Sequence, residues 1–287
     1  MVDSLSILRF TVGVIILFTA AYQDLKTRFV SSILWIIVVI AGISILSCQL
    51  IFVIDNNFAL YFIPIILSLF FEVYLELRNS IRFFINATGF ALSLILLSLS
   101  LNINTFSVFL IIVIIIVAKL FYTYKLLKGK ADVKALMSIA ILVPFYPALF
   151  TAYSLPAIYR NVAQVTFPFA LEVLMNAAVT AAIYVIYLFF FNLSRRDTGF
   201  PEMFLGYKLK IDDFKKKHVW LLERINESGT HYLSLTPDES VEDLELEKFK
   251  KRKIEKVWVQ PKIPFIVYML IGFILAFLFD DLYLLIH

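Results

Sequence analysis

Cysteine is almost absent from this chain. The single residue, Cys48, lies inside an apolar run, which excludes an internal disulfide and a multi-cysteine zinc site. Histidine is equally sparse, and His218, His231 and His287 stand too far apart to form a metal-ligand pattern. Only eight glycines occur in 287 residues, and none builds a phosphate-cradling loop. An H-E-x-x-H helix and a serine nucleophile elbow are missing as well. Neither a metal, a cofactor nor a nucleic-acid partner is therefore expected. Charge is scarce too, at 17% of residues, and the formal net charge of +4 says little about partners because the basic residues are needed for topology.

What is abundant is hydrophobicity. Apolar residues make up 61% of the chain, with 29 Phe and a mean hydropathy of +0.88, against about 45–50% apolar residues in soluble domains. Runs of roughly 18 or more apolar residues read as membrane spans. The pattern predicts an all-α polytopic membrane protein with about eight helices, near 4–22, 30–54, 58–75, 82–101, 105–124, 133–152, 165–193 and 263–286. The N-terminal run has no basic segment ahead of it, so it is read as a retained helix. With the N-terminus outside, 23 of the 26 Lys and Arg fall in or beside the inner segments 23–29, 76–81, 125–132 and 194–262. One miscounted helix would invert part of that distribution. Both termini are thus expected outside a multi-pass plasma-membrane protein.

Three regions follow: a membrane domain over 1–193, a soluble cytoplasmic segment over 194–262 and a last span over 263–287. The soluble segment reads as a small mixed α+β domain. Its "IDDFKKKHVWLLERIN" carries Ile211, Phe214, His218, Leu221, Leu222 and Ile225 at helical spacing and predicts an amphipathic helix. "HYLSL" and "KVWVQP" predict strands. "DESVEDLELEKFKKRKIEK" runs acidic to basic, the order that suits a helix dipole.

Two acids stand out. Asp24 closes the first predicted helix and Asp132 opens the sixth, both on the inner side. They are 108 positions apart, yet the topology sets them at one membrane face and similar depth. Two carboxylates in a low-dielectric site do not ionise together, so the pair shares a proton and supplies both a base and an acid toward water. Set against this is the ordinary reading of an acid near lysines at a helix end, an interfacial or salt-bridged charge. The flanks favour the first reading. "GKAD" puts a small, flexible residue just before Asp132, and "DLKTRFVSS" puts basic residues one turn after Asp24.

These flanks resemble the aspartic membrane peptidases of the prepilin type. In that family a first Asp is followed four residues on by Arg, then by an aliphatic residue, and Asp24, Arg28 and Val30 match. The second family Asp ends a Gly-x-Gly-Asp motif. Gly129, Lys130, Ala131 and Asp132 match with one departure, Ala131 for the second Gly. The following "VKALM", with "FPFALEVLMNA" at 167–177 and "VWVQPKIPF" at 257–265, is similar to the archaeal prepilin and preflagellin peptidases. The resemblance implies an aspartic endopeptidase with Asp24 and Asp132 as the catalytic pair and Arg28, Gly129, Ala131 and Lys134 as motif and supporting residues. It implies a pilin-like or archaellin-like precursor as substrate, with a short basic leader and a hydrophobic helix, cut at the cytoplasmic face among membrane lipids. Typical archaeal members have about six spans. The surplus here lies between the two aspartates, as an added hairpin within 30–124. Ala131 also brings a Cβ, which disfavours a left-handed backbone there. Bacterial relatives carry a Cys-rich segment and a methyltransferase activity, and neither is expected with one Cys.

Other features point elsewhere or nowhere. Asp197-Thr198-Gly199 spells a pepsin-type triplet but follows a membrane helix, and reads as a helix end with Gly199 as its stop signal. Glu172, inside the seventh predicted span, reads as a structural partner of Lys119 or Arg9, or as a transport or gating acid. Glu72 and Glu76 read as a solvated helix end that also suits a basic leader. Lys134 either tunes Asp132 or obeys the positive-inside rule. Two further functions stay open: a presenilin-like protease, whose second Asp lies deeper in the membrane, and a carboxylate-gated transporter, which calls for midplane acids and an inverted repeat.

Overall fold

The computed structural model describes residues 2–49, 91, 103–127, 129–145, 167–226, 231–234 and 239–279. The expected spans 58–75 and 82–101 (Ala91 apart), Glu72 and Glu76 lie outside these residues. The described chain is mostly helical, with a small α+β region toward the C-terminus. Three of its helices are long and apolar enough to cross a membrane: Ser4–Thr27, Ser32–Gln49 and Phe169–Ser194. Phe109–Thr123 and Phe265–Leu278 are shorter apolar helices. Two compact units divide the chain, Met1–Ala178 with Pro264–His287, and Val179–Ile263.

The first unit contains α1 (Val2–Thr27), α2 (Ser32–Gln49), α3 (Ile103–Thr123), α4 (Lys130–Leu142), the start of α5 (Phe169–Ser194) and α7 (Phe265–Phe279). Hydroxyls within α1 are satisfied locally: Thr11, Thr19 and Thr27 donate to the carbonyls of Ile7, Ile15 and Gln23, one turn back. α1 is longer than its apolar run predicts and continues through Asp24. It ends where Arg28 turns left-handed, φ 57°, and donates its N–H to the Asp24 carbonyl at 3.1 Å. That single bond is the left-handed C-cap. Ser31 then caps α2, its Oγ accepting the Ile33 N–H at 3.4 Å.

α4 is the hub. Asp132, Val133 and every residue from Ala135 to Leu142 are buried, because α1, α2, α3 and α7 all pack on it. Lipid offers apolar groups no less than a helix neighbour does, so close backbone contact does the joining. Gly42 of α2 shows this. A Cβ there would stand 2.9 Å from the Leu142 Cα and 3.0 Å from the Ile141 carbonyl. Neither is a movable side-chain end. Gly42→Leu is therefore expected to cost about 1–3 kcal/mol, read as a lower unfolding temperature in detergent. An unchanged temperature would refute this close helix crossing. Gly272 of α7 meets the backbone of Val173 and Ala177 in the same way. On the outer faces Ile7, Ile15, Phe18, Ile33 and Ile40 are exposed, as lipid-facing residues should be.

The second unit is built on β5 (Lys256–Pro261), the central strand of an antiparallel sheet. β5 pairs with β1 (Tyr207–Lys210; Tyr207 opposite Val259) on one side and β2 (Val219–Leu221; Val219 opposite Pro261) on the other. β3 (Glu223–Ile225) and β4 (His231–Leu233) form a separate hairpin. α6 (Glu239–Lys251) adds Leu246 and Phe249 to a core with Leu209, Phe214, Val219, Ile225, Val257 and Val259. Buried Glu223 ties these parts together: its carboxylate accepts the Trp258 backbone N–H at 2.7 Å and meets His231 Nδ1 at 3.2 Å. Glu223→Ala leaves that N–H without its acceptor and is expected to destabilise the unit by about 1–3 kcal/mol, seen as earlier proteolysis of this segment. Equal protease resistance would show that the bond contributes nothing.

Two expectations need correction here. The stretch 211–225 is not one amphipathic helix. Ile211–Lys216 is a 3-10 helix, followed by β2 and β3. Ile211 and Phe214 at i, i+3 fit a 3-10 turn, while Val219 and Leu221 alternate inward and find a partner strand in β5. Pairing with a distant strand overrides local periodicity. Gly199 is also not the stop of α5. The left-handed residue is Arg196, φ 58°, and the Arg196 and Asp197 N–H groups bond Leu193 and Asn192 carbonyls in a Schellman motif. Gly199 instead makes room for Trp258, whose indole would lie 2.9 Å from a Cβ.

Candidate active site

Asp24 occupies the last turn of α1 and is half-buried, whereas Asp132, in the first turn of α4, is only 8% exposed. α1 packs on α4, and the Asp24 carboxylate lies close enough to Asp132 to act on it electrostatically. Arg28 is within the same kind of reach of Asp24. The four-residue spacing of Asp24 and Arg28 thus has a backbone reason: one supplies the carbonyl and the other the N–H of the helix cap.

Gly129 is the N-cap of α4, with φ −84°, a backbone open to any residue. Its N–H donates to the Asp132 carboxylate, and a Cβ on it would run into that carboxylate. Space, not conformation, makes this position glycine. Ala131 is helical and packs against the apolar core. No left-handed backbone is needed there, so its Cβ is accommodated. Lys134 Nζ donates to Ser32 Oγ at 3.0 Å and links α4 to the start of α2. The structure therefore gathers Asp24, Arg28, Gly129 and Asp132, and gives Ala131 and Lys134 to packing and to α2. Among the described residues, no group of three or more His, Cys, Asp or Glu is placed to hold a metal ion.

Beside Asp132 lies a cavity of about 430 Å³ whose other described lining residues are apolar: Phe121, Leu126, Leu127, Leu174, Ala178 and Phe265. Sequence reading missed these residues, since apolar positions in an apolar chain carry no signal. Arg9, in the candidate span Ser4–Thr27, is 3% exposed, donates to Gln49 at 2.7 Å and lies over the Phe145 ring. Glu172 and Asn176 are buried in α5. Asn192 is fully buried and donates to the Met203 and Gly206 carbonyls.

The family described as Archaeal Peptidase A24 C-terminus Type II matches residues 199–282. A preflagellin peptidase of Methanocaldococcus jannaschii is 29% identical over 167 residues, covering 56% of this chain and 66% of that protein. A preflagellin peptidase of Methanococcus voltae is 25% identical over 282 residues and 93% of each chain. One match covers the C-terminal third and another nearly the whole length, and together with the residues around Asp24 and Asp132 they support the archaeal prepilin and preflagellin peptidase family.

Proposed function

We propose that this chain is a membrane aspartic endopeptidase that removes a short basic leader from preflagellin-like or pilin-like precursors at the cytoplasmic face. The observation that carries the reading is that two acids 108 positions apart lie within electrostatic reach of each other, one of them buried beside an apolar cavity. A merely interfacial charge has no reason to be withdrawn from water next to another carboxylate. The name shared by both relatives, preflagellin peptidase, supports the substrate class.

In this proposal Asp24 and Asp132 hold one proton between them. The ionised carboxylate takes a proton from water as the oxygen attacks the scissile carbonyl, and the protonated one gives its proton to the carbonyl oxygen. Collapse of the tetrahedral diol then breaks the C–N bond, with a proton passing to the leaving amine. The Gly129 N–H orients the Asp132 carboxylate through both steps. No step draws on a metal or nucleotide.

Lys26, Arg28, Lys125, Lys130 and Lys134 flank the two acids in sequence and support a cytoplasmic site, with about eight spans and both termini outside. Residues 194–262 are the proposed cytoplasmic domain, following the membrane domain 1–193 in sequence and preceding the last span 263–287.

The deciding experiment expresses the wild-type chain in membranes with a leader-bearing preflagellin. A product shortened by the leader, with its new N-terminus read by mass spectrometry, is the expected result. An intact precursor beside well-accumulated enzyme would overturn the peptidase reading and bring the carboxylate-gated transporter forward.

A further inference from the structure

The cavity beside Asp132 has an uneven wall. Leu127 is buried at its back, Leu174 is half-buried, and Leu126 and Ala178 are exposed. The cavity therefore opens at its side, between the end of α3 and α5. Ala178 is the smallest of the described lining residues and is exposed. A longer side chain at this lining position would narrow the entrance. Asp132 is the one charged group among the described lining residues, so whatever apolar group fills the cavity is held against a carboxylate.

We infer that this cavity is the specificity pocket for the apolar side chain next to the scissile bond, on the side of the substrate's hydrophobic helix, and that Ala178 sets the size it admits. This rests on the peptidase reading above. The occupant follows from three features together. Among the described residues the walls offer no hydrogen-bonding side chain besides Asp132, so a polar side chain would lose its water there without replacement. The volume falls within the range of small-ligand pockets, far below what a whole helix needs. The lateral opening lets a side chain enter from a helix that itself stays in lipid. Differences of one or a few carbons in an apolar pocket change transition-state binding by roughly 10–200-fold, so residue size at Ala178 should be read out as selectivity.

The test pairs two precursors that differ only at the residue following the scissile bond, Phe in one and Ala in the other, and measures both cleavage rates in membranes carrying the wild type, Ala178→Val, Ala178→Phe or Leu174→Ala. The expected result is a Phe-to-Ala rate ratio that falls at least about tenfold in Ala178→Phe, falls less in Ala178→Val, and is kept or raised in Leu174→Ala, which widens the pocket. If Ala178→Phe proves inactive on both precursors, the ratio in Ala178→Val decides. A wild-type ratio in the Ala178 variants overturns the pocket assignment while leaving the peptidase intact. That includes the case in which the cavity holds only a lipid tail. Failure of the wild type on both precursors would instead remove the peptidase reading itself.

Discussion

Asp132→Asn is expected to abolish precursor processing while the protein still accumulates in the membrane. Asn keeps the shape of the side chain and can still accept the Gly129 N–H, so the fold has little reason to change. What it cannot do is exchange a proton with water or with a carbonyl oxygen. Loss of acid–base catalysis by one group is worth roughly 10²–10⁴-fold, and a paired site fails as a unit. Asp24→Asn is therefore expected to match it, and the double variant to be no worse than either single one. A half-buried Asp24 and a buried Asp132 within electrostatic reach of each other are the structural basis. The same logic gives wild-type processing a bell-shaped pH dependence: at low pH the pair has no base, at high pH no acid. The measurement is the rate of leader removal at matched enzyme level. Residual processing by either single variant would reduce that acid to an interfacial charge.

Gly129→Ala is the second large effect, on catalysis and not on folding. The backbone at Gly129 suits any residue, φ −84°. A methyl group there runs into the Asp132 carboxylate, the movable end of a side chain, so the carboxylate yields and the helix does not. A displacement on the scale of 1 Å in a catalytic group costs about 10²-fold. Processing should fall by that order, with the unfolding temperature in detergent unchanged. A drop in stability matching the loss of activity would show that Gly129 serves the fold instead. The contrast with Gly42→Leu, which should lower stability through rigid backbone contacts, makes the two glycines a useful pair.

Much of this was readable in advance where the signal is local. The helix α1 follows from its apolar run, the strands holding Tyr232 and Trp258 from short β-type segments, and α6 from its acidic-to-basic charge order. The Asp24–Arg28 spacing was readable as a motif, and its backbone reason is the helix cap. Helix C-caps were less legible. With eight glycines available, the left-handed positions after α1, α3, α5 and α6 are filled by Arg28, Lys125, Arg196 and Lys253. The sequence signal for a helix stop is glycine, so a basic residue there passes unnoticed, although its charge suits the negative end of the helix dipole.

Hydrophobic run length and the placement of basic residues by themselves determined that this is a membrane protein, and helix-end position set Asp24 and Asp132 as the acids of interest, because these are properties of contiguous chain. Only the tertiary structure decided that α4 lies at the centre of its unit and so withdraws Asp132 from water. It alone brought Asp132 within reach of Asp24, opened the apolar cavity at Ala178 and turned 219–225 from a helical pattern into strands. Each of these depends on which distant segment becomes a neighbour. In a chain that is 61% apolar, nearly every helix face is sticky enough to serve. Close backbone approach at positions such as Gly42 and Gly272 selects among them.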